Sequence, residues 1–238
     1  MQMDPYGLDA LWAQGDPVAR ATLLILAAMS VASWFVLGGK LVEQYRLFRD
    51  AADADRAFWE AGSLEEGLAV LAADNPLRIL AAAALDGHRR HQGGLVKEVD
   101  RHTWLGFILQ QGAGRIIGRL QGGLAVLATV GAVAPFIGLF GTVWGIHHAL
   151  TAIGISGQAS IDKVAGPVGE ALIMTAIGLA VAVPAVLGYN WLVRRNKVAA
   201  DSVRAFAADL HAVLLGGRRP NEAADAGQRQ PCLLARSA

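Results

Sequence analysis

The sequence predicts an all-α membrane protein with three transmembrane helices. The second and third are long and extend into the cytoplasm, where a helical domain is expected. Three observations lead there. The 238 residues are 54% hydrophobic and only 17% charged, with a formal net charge of +1, against about 25% charged residues in an average soluble domain. The 74 residues from Leu120 to Val193 contain three charges, Asp162, Lys163 and Glu170, too few to cover a water-facing surface. The 28 Gly and six Trp suit membrane helices, where Gly is tolerated inside spans and Trp gathers at interfaces. A nucleic-acid binder would need a basic excess that this chain lacks. The one cysteine, Cys232, permits neither an internal disulfide nor a cysteine-based metal site.

The first span is expected at 21–39, an uncharged run of 19 residues between Arg20 and Lys40. At 1.5 Å per residue this is about 28 Å, roughly one hydrocarbon core. The segment before it carries Asp4, Asp9 and Asp16, the opposite of the basic start of a signal peptide, so a retained helix is expected. The second uncharged run, 120–161, is 42 residues, long for one crossing and tight for two. Charge asymmetry decides between them. Lys plus Arg number 1 in 1–20, 11 in 40–119, 1 in 152–167 and 8 in 194–238. Three spans put both basic segments on one side, inside. The expected layout is a periplasmic N-terminus over 1–20, a cytoplasmic domain over 40–119, a second span at 120–150, a periplasmic loop at 151–165 and a third span at 166–193. A cytoplasmic helix at 194–217 and a disordered tail at 218–238 follow. The protein is expected to be a multi-pass protein embedded in the lipid bilayer.

Segment 40–119 balances its 11 basic residues with 11 acidic ones, which reads as a solvated domain. Ser63-Leu64-Glu65-Glu66 has the pattern of a capping box. Asn75-Pro76 reads as a cap followed by proline at the first helical position. Gly93-Gly94 breaks the chain, and from Leu95 one helix is expected to lead directly into the second span, bent near Pro135. Val198–Leu215 is amphipathic, with Val203, Phe206, Leu210, Val213 and Leu214 on its apolar side, and ends at Gly216-Gly217. Apolar faces on long cytoplasmic helices call for partners, so bundling with copies or neighbours is expected.

The sharpest chemical feature is Glu170, the only acid between Val164 and Val193. A charge at bilayer depth costs about 2.5–3.5 kcal/mol on insertion scales and tends to face a cavity or ion pathway. Its other reading is an ordinary acid at the outer interface, seven residues after Lys163. Thr142 and Thr175 lie 16 or 17 residues on either side of a turn centred near 158, so an antiparallel hairpin places them at one depth. Two hydroxyls in one layer could hold water or relay protons; alternatively each bonds its own helix. Glu170 and Thr175 are separated by about 140° around a helix, so they share a lumen only if it is wide. Small-residue stripes, Gly114-x3-Gly118-x3-Gly122 and Gly141-x3-Gly145 on the second helix and Ala171, Thr175, Gly178 and Ala182 on the third, permit close helix packing. His147 and His148 sit at the expected outer interface, and no ligand set for a metal accompanies them. No P-loop, Gly-x-Ser-x-Gly or His-Glu-x-x-His motif is present, so no enzyme activity and no cofactor are expected.

Residues 134–147 read APFIGLFGTVWGIH and 166–190 read GPVGEALIMTAIGLAVAVPAVLGYN. These blocks resemble the signatures of the ExbB/TolQ proteins, relatives of the flagellar stator protein MotA. The resemblance covers about 120–195 in sequence and 1–215 in layout. It implies a proton-driven motor subunit of the bacterial inner membrane: a homopentamer around a pore, a single-span partner of the ExbD/TolR type carrying an essential Asp, and work on TonB or TolA. The family's pore glutamate falls on Glu170 and its two pore threonines on Thr142 and Thr175. Ser160–Pro167 looks more like ExbB than TolQ. Against this stand a TolQ-like role in envelope integrity, a small solute transporter, for which inverted repeats are missing, and a structural scaffold.

Overall fold

The computed structural model describes residues 16–92, 99–156 and 161–216. Helix α1 spans Pro17–Asp53 and continues as a π-helical turn, Ala54–Phe58. It is followed by α2 (Leu64–Val70), α3 (Pro76–Gln92), α4 (Arg101–Gln121), α5 (Leu124–Ser156) and α6 (Ile161–Leu214). Among the described residues there is no strand, so the all-α class holds. Three stretches are long and apolar enough to cross a membrane: Pro17–Phe58, Arg101–Thr151 and Gly166–Leu214. The chain divides into two compact units. One combines residues up to Leu41 with Gly122–Val193, the other Val42–Gln121 with Arg194 onward.

The first unit holds the apolar runs. Its core comes from α1 (Leu26), α5 (Leu124, Leu127, Val130, Ala134) and α6 (Ala182, Ala185, Leu192). Its outward side is also apolar: Phe35 is 79% exposed and Phe136 71%. Helices that are hydrophobic all round in a bundle this thin need lipid or further protein around them. Helix α1 opens at Asp16-Pro17, where the Arg20 amide donates to the Asp16 carbonyl at 3.1 Å. Proline at this first position loses no helical bond.

The second helix is interrupted, contrary to the expectation of one helix running from Leu95 into the span. The break falls at Gly122-Gly123, and α5 continues through Pro135. Gly123 adopts φ +78°, a left-handed conformation that costs glycine little, and its carbonyl accepts from the Val126 amide at 3.1 Å to begin α5. Two further expectations are redrawn. The third span and the C-terminal cytoplasmic helix form one helix of 54 residues. Of the outer loop expected over 151–165, α5 occupies the part up to Ser156 and α6 the part from Ile161. Gly93-Gly94, the N-terminal residues before Asp16 and the tail 218–238 lie outside the described residues.

The second unit packs the rest of α1, α2, α3, α4 and the end of α6 around Phe58, Leu77, Leu80, Leu105, Leu109, Val203, Phe206 and Leu210. Phe58, Trp59 and Phe206 form an aromatic cluster with centroids 4.8–5.5 Å apart. Both predicted caps form. Ser63 Oγ accepts from the Glu66 amide at 3.2 Å, and Asn75 Oδ1 accepts from the Leu77 amide at 2.8 Å. Asn75 also donates to the Asp50 carbonyl at 3.2 Å, tying α3 to α1. At the end of α4 the Leu120 carbonyl would be an orphan; the buried Asn196 amide donates to it at 2.7 Å. Gln44 Nε2 in turn donates to Asn196 Oδ1 at 2.5 Å. Burial holds His88 below the usual imidazole range, with the charges of Arg101 and His91 adding to the effect.

Two outcomes are expected. Asn75→Ala removes a cap and a tie to α1 together and destabilises the protein by about 1–2 kcal/mol, measurable by thermal unfolding in detergent. Because folding lowers the His88 pKa, the unfolded chain binds more protons near and below the imidazole range. Stability therefore falls as pH drops through the ordinary imidazole value, and His88→Leu flattens that slope in a pH series of unfolding midpoints.

Candidate functional site

Between α5 and α6 the backbones touch. A Cβ on Gly138 would lie 2.7 Å from the Met174 carbonyl oxygen and 3.1 Å from Gly178 Cα; one on Gly178 would lie 2.7 Å from the Ala134 carbonyl oxygen and 3.0 Å from Gly138 Cα. Only glycine allows this approach. In an apolar solvent such packing is a principal source of helix association, because burial against a neighbour gains little over burial in lipid. The contact extends outward: a Cβ on Gly145 would meet that of Ala171 at 2.9 Å, and one on Gly141 would meet Thr22 Cγ2 at 3.1 Å and Met174 Cβ at 3.2 Å.

One helical turn beyond Gly138 stands Thr142, and one turn before Gly178 stands Thr175. Their hydroxyl oxygens are in hydrogen-bond contact across the two helices. Thr142 is 7% exposed, and its Oγ1 also lies 3.1 Å from the Gly138 carbonyl oxygen and 2.9 Å from that of Ala171. Thr142 therefore bonds its own helix, as one of its two sequence readings had it, and the facing helix as well. Thr175 is half-buried, as is Glu170. Among the described residues no hydrogen bond joins Glu170 to either hydroxyl, as the angle between Glu170 and Thr175 on α6 leads one to expect.

The small-residue stripes divide into two kinds. Gly141, Gly145 and Gly178 face the α5–α6 contact. Nothing stands within 4 Å of a Cβ on Gly114 or Gly118, so those positions are open, and Gly122 falls in the break between α4 and α5. Sequence reasoning missed Gly138. It was findable: Ala134, Gly138, Gly141 and Gly145 continue one helical face at spacings of four, three and four. Also missed was a tie at the start of α1, where Trp144 Nε1 donates to Asp16 Oδ2 at 2.6 Å. Trp144 lies against Phe140 and His147, with centroids 6.4 and 6.2 Å away, and both His147 and His148 are exposed. Among the described residues no cluster of three or more His, Cys, Asp or Glu could hold a metal ion.

Fold and site together define a multi-pass α-helical membrane protein with a hydroxyl layer inside an apolar helix pair. Residues 72–205 match the model of the MotA/TolQ/ExbB proton channel family, and the chain belongs to that family. It is 40% identical to the biopolymer transport protein ExbB of Neisseria meningitidis over 213 residues, covering 87% of this chain and 97% of the relative. With the ExbB of Xanthomonas campestris it shares 42% over 214 residues, 85% of this chain and 83% of the relative. With the Tol-Pal system protein TolQ of Pseudomonas aeruginosa it shares 31% over 224 residues, 89% and 96%. The family is a channel family and not an enzyme class.

Any side chain at Gly178 must displace backbone. Gly178→Ala is expected to destabilise the protein by about 1–3 kcal/mol through overpacking and to separate the two hydroxyls. Thermal unfolding reads the first effect, and the yield of a disulfide between cysteines placed at 142 and 175 reads the second.

Proposed function

We propose that this protein is an ExbB-like motor subunit of the bacterial inner membrane, driven by the proton-motive force and energising TonB-dependent import across the outer membrane. Several copies, five by resemblance to the family, surround a pore that receives a single-span partner of the ExbD type. The N-terminus is periplasmic and the C-terminus cytoplasmic. The observation that carries the reading is the Thr142–Thr175 pair: two hydroxyls joined between apolar runs, 124–146 and 171–188, whose only other polar side chains are Thr129 and Trp144, with Glu170 on the same helix as Thr175. Polar groups inside a membrane are costly unless hydrogen-bonded, and where they are retained they tend to mark ion pathways. The greater identity to the two ExbB proteins named above than to TolQ favours the import role over envelope integrity.

No bond chemistry in this chain is needed for such work. Each elementary charge crossing 100 mV releases about 2.3 kcal/mol, and a ring with a wet interior can couple that release to movement of a partner. Glu170 and the hydroxyl pair form the wall that meets the partner's acid. Gly114 and Gly118, open in the single chain, offer close approach to a neighbouring copy.

Glu170→Ala, expressed at the normal level, is expected to lower TonB-dependent siderophore uptake at least tenfold, the effect of losing about 1.4 kcal/mol from the limiting step. Full uptake by this variant refutes the role of Glu170. A deletion strain that becomes detergent-sensitive while retaining siderophore uptake points to the TolQ role instead. Co-purification of a single-span protein with an intramembrane Asp tests the partner and its ratio.

A further inference from the structure

Away from the hydroxyl layer, the membrane unit carries an open groove of about 490 Å³ between the start of α1 and the middle of α5. Val18, Ala21, Thr22 and Ile25 form one wall, Phe136 and Phe140 the other. Thr22, its one polar wall residue among those described, is buried and donates its hydroxyl to the Val18 carbonyl at 2.8 Å. The groove itself therefore offers a ligand only apolar contact. Pro17 to Ile25 on α1 and Phe136 to Trp144 on α5 each cover eight positions, about 12 Å by helical rise. That is close to the roughly 15 Å of hydrocarbon in one leaflet of a bilayer. A helix 10–12 Å across would fill roughly twice the groove's volume over the same length, so the space suits a single hydrocarbon chain.

One end of the groove is polar. Trp144 continues the α5 wall, stacked on Phe140 at a centroid distance of 6.4 Å, and its Nε1 donates to Asp16 Oδ2 at 2.6 Å. A carboxylate has about four acceptor sites, so the bond from the indole leaves capacity for donors from a ligand. An acid beside an aromatic ring is the combination that recognises an ammonium group, through charge-assisted hydrogen bonds and attraction to the ring face.

We propose that this groove is a binding site for an aminophospholipid, one acyl chain lying between α1 and α5 and the primary ammonium of the headgroup held by Asp16 beside Trp144. The three features match in order along the groove: an apolar trough one leaflet deep, an interfacial indole, and a carboxylate at its mouth. The lipid's phosphate stays at the exposed rim, in water. An anionic headgroup without an amine brings only further acceptors to Asp16 and is repelled by it. A choline headgroup carries the charge but has no N–H to donate. Arg20 and His147, the nearest other ionisable groups along α1 and α5, do not line the groove and stay constant in the variants below. The inference concerns a lipid and does not depend on the motor role.

The test uses the full chain in the assembly as isolated, stripped of lipid in detergent and offered equal amounts of phosphatidylethanolamine, phosphatidylglycerol and phosphatidylcholine. Native mass spectrometry counts each lipid retained per chain. The wild type is expected to retain phosphatidylethanolamine about tenfold over the other two, the worth of one charge-assisted hydrogen bond. Asp16→Asn keeps an acceptor for the Trp144 indole but removes the charge, and is expected to lose that preference. Ala21 is exposed on the groove wall, so Ala21→Phe fills the trough without entering the core and is expected to reduce retention to background while the unfolding midpoint in lipid-free detergent stays put. Should either variant misfold, the wild-type selectivity still decides. Equal retention of the three lipids by the wild type overturns the inference. So does wild-type retention of phosphatidylethanolamine by a folded Asp16→Asn or Ala21→Phe protein. A high yield of disulfide between Ile25→Cys in one copy and Phe136→Cys in another puts protein on the groove and overturns it as well.

Discussion

The membrane unit is organised by one contact, the meeting of the α5 and α6 backbones at Gly138 and Gly178. Lipid tails solvate leucine about as well as another helix does, so apolar burial alone cannot select which faces meet. Shape selects them. Two glycines opposite each other allow the axes to come closer than any other pair of residues would, and the dispersion contacts of Gly141, Gly145 and Ala171 extend the fit. The same closeness brings Thr142 within reach of a carbonyl on the other helix. The hydroxyl layer is thus a geometric consequence of the glycine contact one turn away.

The two units solve the problem of polar backbone in different ways. In the unit rich in apolar runs, long uninterrupted helices satisfy their own amides and present apolar side chains outward, as Phe35 and Phe136 do. In the other unit, helices are short and their ends are met by side chains: Ser63 and Asn75 at N-termini, Asn196 at the end of α4, and Arg101, which donates to the Leu214 carbonyl at 2.7 Å at the end of α6. Asn196 and Gln44 are buried amides, and an amide in such a place stabilises only when its donors and acceptors are matched. Asn196 meets that condition where α4 stops, donating to the Leu120 carbonyl and accepting from Gln44 Nε2.

Much of this was legible in the residues. Uncharged runs bounded by basic clusters marked the spans, because insertion penalties act on composition. Local hydrogen-bond chemistry marked the caps at Ser63 and Asn75, because each cap needs only residues within three positions. Equal spacing from a turn near 158 placed Thr142 and Thr175 at one depth. The interruption of the second helix formed at Gly122-Gly123, where left-handed backbone costs glycine little, while α5 runs on through Pro135. The continuity of α6 through the basic cluster at Arg194 was also missed, since a change of composition marks a change of solvent and not an end of helix.

By itself the sequence determined the helical class, the three runs long and apolar enough to cross a membrane and the side chains available to one layer, since these depend on composition and on helical rise. Tertiary structure alone decided which faces meet. That decision made Gly138 a contact point, left Gly114 and Gly118 open, drew the Asp16 side chain to Trp144 across 128 positions of sequence, and set the two hydroxyls in contact while Glu170 stands apart from them. Helix periodicity tells which residues share a face, but the partner of that face is selected by close packing between segments far apart in the chain.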